Sequence, residues 1–338
     1  MEPALVWVGS ICVLLAILLP AGSLEAAQAI KVTDCRGHSL SFNQPPQRIV
    51  CLIESALSGL YMLGAEQKVV GVSANVYQAP AYRWYAAMDE RIRARRLPAP
   101  GNWDFVSIES VLALRPDVVI IWSEQTETIT ALEQRGVKVF RVFINSREDV
   151  WREMLALGQL TGRQVRAREL IDYSRGELEA IARRTSRIAP ARRPSVYYMW
   201  AQGNLETSGR KSTVNDLINL AGGRNVCGDI EREHLIVSLE QVLLWNPELI
   251  VMWGNDRKDP ADILCDPQWK RVRAVQSRNV HELPEVFLCD LWTLKFPYAV
   301  KLLAKWSHPA EFADLDLERE KRAMLAKLYG PKILAHRP

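Results

Sequence analysis

Residues 107–122, SIESVLALRPDVVIIW, return as SLEQVLLWNPELIVMW at residues 238–253, without a gap and with each position displaced by 131 residues (238 − 107). Each copy opens on a short amphipathic run, turns at Arg115-Pro116-Asp117 or Asn246-Pro247-Glu248, and continues into an unbroken apolar stretch. The proline ends a helix, because its ring clashes with the preceding turn and turns the residue before it away from αR. Residues 118–121 and 249–252 show no polar alternation, as expected of a strand buried on both faces of a parallel sheet. Each copy therefore predicts an αβ unit. Two copies predict an α/β chain of two related lobes with parallel sheets.

Length and composition allow this: 338 residues at 48% apolar content suffice for two cores. The net charge of +4 is small and spread, with one cluster at Arg91, Arg93, Arg95 and Arg96. A nucleic-acid partner is not expected, since that needs a basic stripe or a readable motif. Residues 4–19 are apolar and lead through Pro20 and Gly22 to Ala27-Gln28-Ala29. Residues 1–29 read as a signal peptide cleaved after Ala29, which places the mature chain in the periplasm. The alternative is a retained anchor, because Met1-Glu2-Pro3 lacks the usual positive charge; against it, the stretch is short for a span. Apart from Cys12, five cysteines remain: Cys35, Cys51, Cys227, Cys265 and Cys289. They show no Cys-x-x-Cys spacing, and one disulfide, with Cys227 to Cys265 a candidate, is compatible with an exported chain.

Along the chain, residues 31–42 read as a leading hairpin, 48–52 as a buried strand, and 69–72 as the next strand. The long polar and aromatic stretch 75–105 reads as a functional or mobile loop. From 163 to 188 there is no proline, and Val165, Leu170, Ile171, Leu178, Ile181 and Ile188 recur at near-helical spacing. One long helix is expected there, joining an N-terminal lobe (30–162) to a C-terminal lobe (189–338).

Three strands end in tryptophan: Trp122, Trp200 and Trp253. Ligands of open α/β sheets sit beyond the carboxyl ends of strands, and an indole offers a wide face and one donor. Core packing at the sheet edge is the competing expectation. Tyr82, Trp84, Tyr85 and Trp292 are candidates to complete an aromatic wall, and Arg210 and Arg257 to pair with carboxylates or phosphates. The segment 203–212 fails P-loop spacing. The five histidines show no metal-ligand spacing, and neither a Gly-x-Ser-x-Gly elbow nor a hydrolytic carboxylate pair occurs. No catalysis and no cofactor of its own are expected.

The order Thr33-Asp34-x-x-Gly37, Pro46-x-Arg48-Ile49-Val50, Leu63-Gly64-Ala65, Val70-Gly71-Val72 and Ser107-x-Glu109-x-x-Leu112-x-Leu114-x-Pro116-Asp117 continues into the second half. There it runs Asn215-Asp216-Leu217-Ile218, Ala221-Gly222-Gly223-x-Asn225-Val226 and Trp306-x-His308-Pro309. Over nearly the whole mature chain this resembles the substrate-binding proteins of bacterial ABC importers for iron chelates and cobalamin. The resemblance implies an α/β fold of two Rossmann-like lobes joined by one long rigid helix, limited closure, no chemistry, and delivery of cargo to a membrane permease. It also places Trp103 and Trp122 where cobalamin-binding relatives contact the ring. For permease docking it points to Asp216 in the second lobe; in the first the usual glutamate position holds Ser58, with Glu54 one turn earlier.

The expected function is capture of a ferric siderophore, haem or cobalamin between the lobes of a periplasmic monomer, for handover to an inner-membrane ABC permease. The rival is an exported two-lobed enzyme acting on a metal chelate, of chelatase or reductase type.

Overall fold

The computed structural model describes residues 1–2, 29–254 and 258–334. Nearly all of the expected signal segment, with Cys12, and also Arg257 lie outside the described residues. No helix among the described residues is long and apolar enough to cross a membrane.

A hairpin of β1 (Ile30–Thr33) and β2 (Ser39–Phe42) leads into β3 (Ile49–Cys51), β4 (Val69–Val72), β5 (Val118–Trp122) and β6 (Val139–Val142). The last four form a parallel sheet in the order β4-β3-β5-β6. The second half holds β7 (Ser195–Met199), β8 (Glu206–Thr207), β9 (Arg224–Asn225), β10 (Leu235–Ile236), β11 (Leu249–Met252) and β12 (Val280–Glu282). Its parallel sheet runs β12-β11-β7-β9, and β8 pairs with β10 in a small antiparallel ribbon. In each sheet the chain first steps to one side of its opening strand and then to the other. The switch points fall between β3 and β5 and between β7 and β11, where crevices open at the carboxyl ends of such sheets.

The sequence repeat is a structural repeat down to its caps. Ser107 and Ser238 each cap a short helix, Ile108–Ala113 and Leu239–Trp245, by accepting from Ser110 N and Gln241 N. Arg115 and Asn246 stand at equivalent positions after those helices, and both adopt φ of +45°. Asparagine tolerates this left-handed region better than arginine, and glycine tolerates it best. Arg115→Gly is therefore expected to raise stability by about 0.5–1 kcal/mol, whereas Asn246→Gly is expected to bring no gain, because the Asn246 side chain accepts from Arg273 N at 2.8 Å and glycine forfeits that bond. The midpoint of urea unfolding checks both.

A helix at Gln164–Thr185 joins the lobes, about 33 Å long at about 1.5 Å per residue. Ala167, Leu170, Ile171, Leu178 and Ile181 bury one stripe of it. It stops short of residue 188 because Ile188 N turns back to Thr185 O ahead of Pro190. A second tie comes from the helix Leu317–Tyr329, whose end returns to the first lobe. Arg166 donates to Lys327 O at 2.7 Å, and Tyr329 and Ser58 share a hydroxyl–hydroxyl bond of 2.5 Å. A continuous apolar core runs through both lobes, from Leu57 and Trp84 to Phe287 and Leu328.

Two expectations are corrected here. The stretch 75–105 is not one loop: it holds the helices Ala81–Met88 and Glu90–Arg93 packed on the first lobe, where Trp84 and Tyr85 are buried, whereas Trp103 and Phe105 near its end stay exposed. The five described cysteines are all free, so Cys227 and Cys265 do not pair. Cys227 is buried against Thr207, whereas Cys265 is exposed.

Candidate ligand site between the lobes

The carboxyl end of the first sheet carries a ladder of rings. Trp122 ends β5 and meets Trp103 edge-on, with centroids 6.3 Å apart at 87°. Phe143, just past β6, lies nearly parallel to Trp122 at 6.4 Å and 15°. The Arg36 guanidinium, brought up by the β1–β2 turn, sits 5.3 Å over Phe143, donates to Ser123 at 3.1 Å and pairs with Glu124. Trp103 is 48% exposed and Phe105 beside it 68%. An apolar surface of this kind at a switch point marks a binding face.

The second sheet ends in a block of three indoles. Trp200 and Trp292 are parallel within 1° at 5.9 Å, and Trp253 lies 5.3 and 5.6 Å from them. Trp200 donates its indole N–H to Ser208 at 2.8 Å. With exposures of 8% and 6%, Trp200 and Trp253 are packed chiefly as core. Of the three strand-end tryptophans only Trp122 is partly open, and the half-buried Trp292 presents the second lobe's indole surface. His234 stands 6.3 Å from Trp200 and is held by Glu206 at 2.7 Å.

Between these walls the lobes are in contact. Trp84 stacks on Phe287 of the second lobe at 5.1 Å and 7°, and donates to Glu285 at 2.8 Å; Arg83 pairs with the same carboxylate. Tyr85 meets Phe287 and Tyr61 edge-on and donates to Glu54 O at 3.2 Å. Trp84 and Tyr85 thus seal the junction and do not line an open wall. Tyr82 faces away from it, donating to Arg93 O beneath the Arg95 guanidinium.

Beneath lie ionisable groups, of which the sequence reading had singled out only Glu54. Lys295 is fully buried, donates to Ser58 at 3.1 Å across the lobes, and lies 4.0 Å over the Phe287 ring. Burial lowers its pKa to about 8 against the pull of Asp290. Desolvation raises Asp290, which accepts from Trp292 N. Desolvation also raises Glu54, which accepts from the Ser73 hydroxyl and is pushed further by Asp290. Glu153 is raised to about 8 by burial, then by Asp290 and Asp149. The signal was present: Asp290 and Lys295 interrupt the apolar run LCDLWTLKFPYAV, and Glu153 falls on the stripe of Val150, Met154 and Leu157.

The remaining expected site residues lie elsewhere. Arg210 is on the surface of the second lobe, donating to Gly228 O at 2.9 Å near Asp229 and Glu231. Asp216 accepts from Arg147 N at 3.3 Å and lines a cavity of about 280 Å³ with Arg147, Ser186 and Arg193, where desolvation raises its pKa. Glu54 lies under the junction and accepts from the Ser73 hydroxyl.

A family model described as periplasmic binding protein matches residues 49–286. The chain is 25% identical to the molybdate-binding protein MolA of Haemophilus influenzae, the match covering 94% of this chain and 95% of that one. The structure of MolA bound to molybdate superposes with a TM-score of 0.77 at 22% identity, over 88% of this chain and 97% of that one. The vitamin B12-binding protein of Vibrio parahaemolyticus is 24% identical over 75% of this chain and 82% of its own. The nickel–histidine complex of CeuE from Helicobacter pylori gives a TM-score of 0.76 at 18% identity, covering 89% and 96% of the two chains. With 49–286 matched and the same two-lobed α/β plan in these solved structures, the chain belongs to the periplasmic binding protein family.

Proposed function

We infer that this protein is the substrate-binding component of an ABC importer, and that it holds a metal chelate between its lobes for delivery to an inner-membrane permease. The observation that carries the reading is the ring ladder Trp103–Trp122–Phe143 at the first switch point, with Trp292 the accessible indole at the second. Rings of this size contribute affinity through area and stacking geometry, with a few polar groups fixing orientation. The relatives named above bind molybdate, vitamin B12 and a nickel complex by their own descriptions. An aromatic wall suits the bulky chelates in that range better than a small oxyanion.

These named relatives are binding proteins, which gives the chelatase or reductase reading no support. A role for Asp216 in docking remains part of the proposal through the open side of its cavity, where a permease side chain could reach it. Capture requires differential affinity for the closed arrangement, and the double tie between the lobes favours a small motion.

Titration of the mature protein with cyanocobalamin, haemin and ferric hydroxamates, followed by tryptophan fluorescence, tests the reading. Saturable quenching by at least one is expected, with release of the chelate chemically unchanged. Trp103→Ala is expected to weaken that binding about 10-fold or more, as loss of one exposed stacking ring does, while leaving the unfolding midpoint within about 0.5 kcal/mol. Silence toward every chelate sinks the assignment.

A further inference from the structure

We propose that Arg36 selects an anionic cargo: the chelate held at the Trp103–Trp122–Phe143 ladder carries a carboxylate that displaces Glu124 from the Arg36 guanidinium. The inference rests on the cleft reading above and adds the chemical class of the cargo.

Direct contacts place the guanidinium at the ladder. It lies 5.3 Å over the ring of Phe143, the residue past the end of β6, and its Nη2 donates at 3.1 Å to the hydroxyl of Ser123, the residue past the end of β5. Trp122, the partly open indole of the ladder, precedes Ser123 in the chain and lies nearly parallel to Phe143 in space. Arg36 thus stands beyond the carboxyl ends of two adjacent strands, where open α/β sheets take their ligands. The turn that brings it there is fixed by the Thr33-Asp34-x-x-Gly37 motif. Asp34 Oδ1 accepts from Arg36 N and His38 N, both at 2.9 Å, and Asp34 Oδ2 accepts from the buried Arg141 of β6 at 3.2 Å. Cys35 N donates to Arg141 O at 3.4 Å, and Gly37 closes the turn at a φ of +83°, which glycine adopts without strain. With its backbone anchored to the sheet, Arg36 has less freedom to lose when it pairs.

The guanidinium is charged, open and only partly used. Arg36 and Glu124 each expose 46% of the side chain, and an exposed pair of this kind contributes little to stability. Ser123 and Glu124 both take hydrogens of Nη2, so Nε and Nη1 have no protein acceptor among the described residues. With Glu124 displaced, Nη2 and a nitrogen beside it offer a carboxylate the bidentate edge that a guanidinium favours. The rings alongside hold the body of the chelate. Glu124 follows Ser123 on the exposed stretch after β5 and turns to water at small cost. A neutral or cationic cargo leaves the Arg36–Glu124 pair intact and gains nothing from it.

The test uses three chelates, each as a matched pair with and without a carboxylate. Ferrioxamine B is capped on its amine with succinyl or with acetyl; cyanocobalamin is used with one propionamide hydrolysed to the carboxylate or intact; haemin is used as the free acid or as its dimethyl ester. All are titrated into wild type, Arg36→Gln and Glu124→Gln by tryptophan fluorescence, with urea midpoints reporting that the variants are folded. For whichever chelate binds, the wild type is expected to prefer the carboxylate form by about 10-fold or more. Arg36→Gln is expected to bind the two forms alike. Glu124→Gln, which leaves the guanidinium without a competitor, is expected to bind the carboxylate form about 3-fold or more tighter than the wild type does. A pair that only supported the fold would give no such gain. Equal affinity of the wild type for the two forms, tighter binding of the neutral form, or a preference that survives Arg36→Gln overturns the inference and leaves the cleft reading standing. So does unchanged or weaker binding of the carboxylate form by Glu124→Gln, the comparison that decides should Arg36→Gln fail to fold. Binding of no chelate at all overturns both.

Discussion

Trp84→Ala is expected to destabilise the protein by about 3–5 kcal/mol, the cost of emptying a buried aromatic site. The indole is 5% exposed, stacks on Phe287 at 5.1 Å and donates to Glu285 at 2.8 Å. Its removal leaves a cavity on the first-lobe side and takes one partner from a half-buried carboxylate, and both effects act in the same direction. Because the lost contacts join two lobes, the expected signature is a lower denaturant midpoint together with separation of the transition into two phases. Trp84→Phe retains the stacking surface and is expected to recover more than half of the loss. A single unshifted transition in Trp84→Ala would show that the Trp84–Phe287 contact does not hold the lobes together.

The second large effect concerns pH. The folded Glu153 carboxyl keeps its proton to about pH 8, whereas an unperturbed glutamate gives it up near 4.5. The folded state therefore binds more protons between those values. This contribution is complete below about pH 4.5 and is lost as pH rises through 8. At about 1.4 kcal/mol per unit, and discounted because the side chain is only partly buried, about 2–3 kcal/mol is at stake. Glu153→Gln is accordingly expected to be more stable than wild type at pH 8 and equal to it near pH 4.5. Its stability should also fall less steeply across that interval. Lys295 opposes this only at higher pH, because its folded pKa near 8 lies below the ordinary 10.5 and its contribution rises above pH 8. Urea midpoints at pH 5, 6, 7 and 8 separate the two groups. Parallel curves for wild type and Glu153→Gln would show that the carboxyl is solvated as in water.

The elements legible in the sequence are those fixed by local rules. The serine caps, the proline stops and the unbroken apolar strands of the repeat each follow from contacts within a few residues, so both αβ units could be read directly. The bridging helix was legible for the same reason, its apolar residues recurring at helical spacing without a proline. Misreading 75–105 as a loop has a converse cause. Trp84 and Tyr85 are apolar neighbours in a polar stretch, and only the docking of Phe287 from more than 200 residues away gives them a core to enter. The indoles at strand ends were found from sequence, but exposure separates Trp122 from Trp200 and Trp253 only after three rings close on one another around Ser208.

By itself, the sequence determined that there are two related α/β lobes and that tryptophans end three of their strands, because period, capping and chain breaks act at short range. The tertiary structure alone decided which aromatics stay open, that Trp84 and Tyr85 fasten the lobes together, and that Lys295 of the second lobe is buried against Ser58 of the first. The physical reason is that burial and electrostatic environment belong to the assembled surface. A carboxylate in a helix reads the same in sequence whether its neighbours in space are water or the opposite lobe.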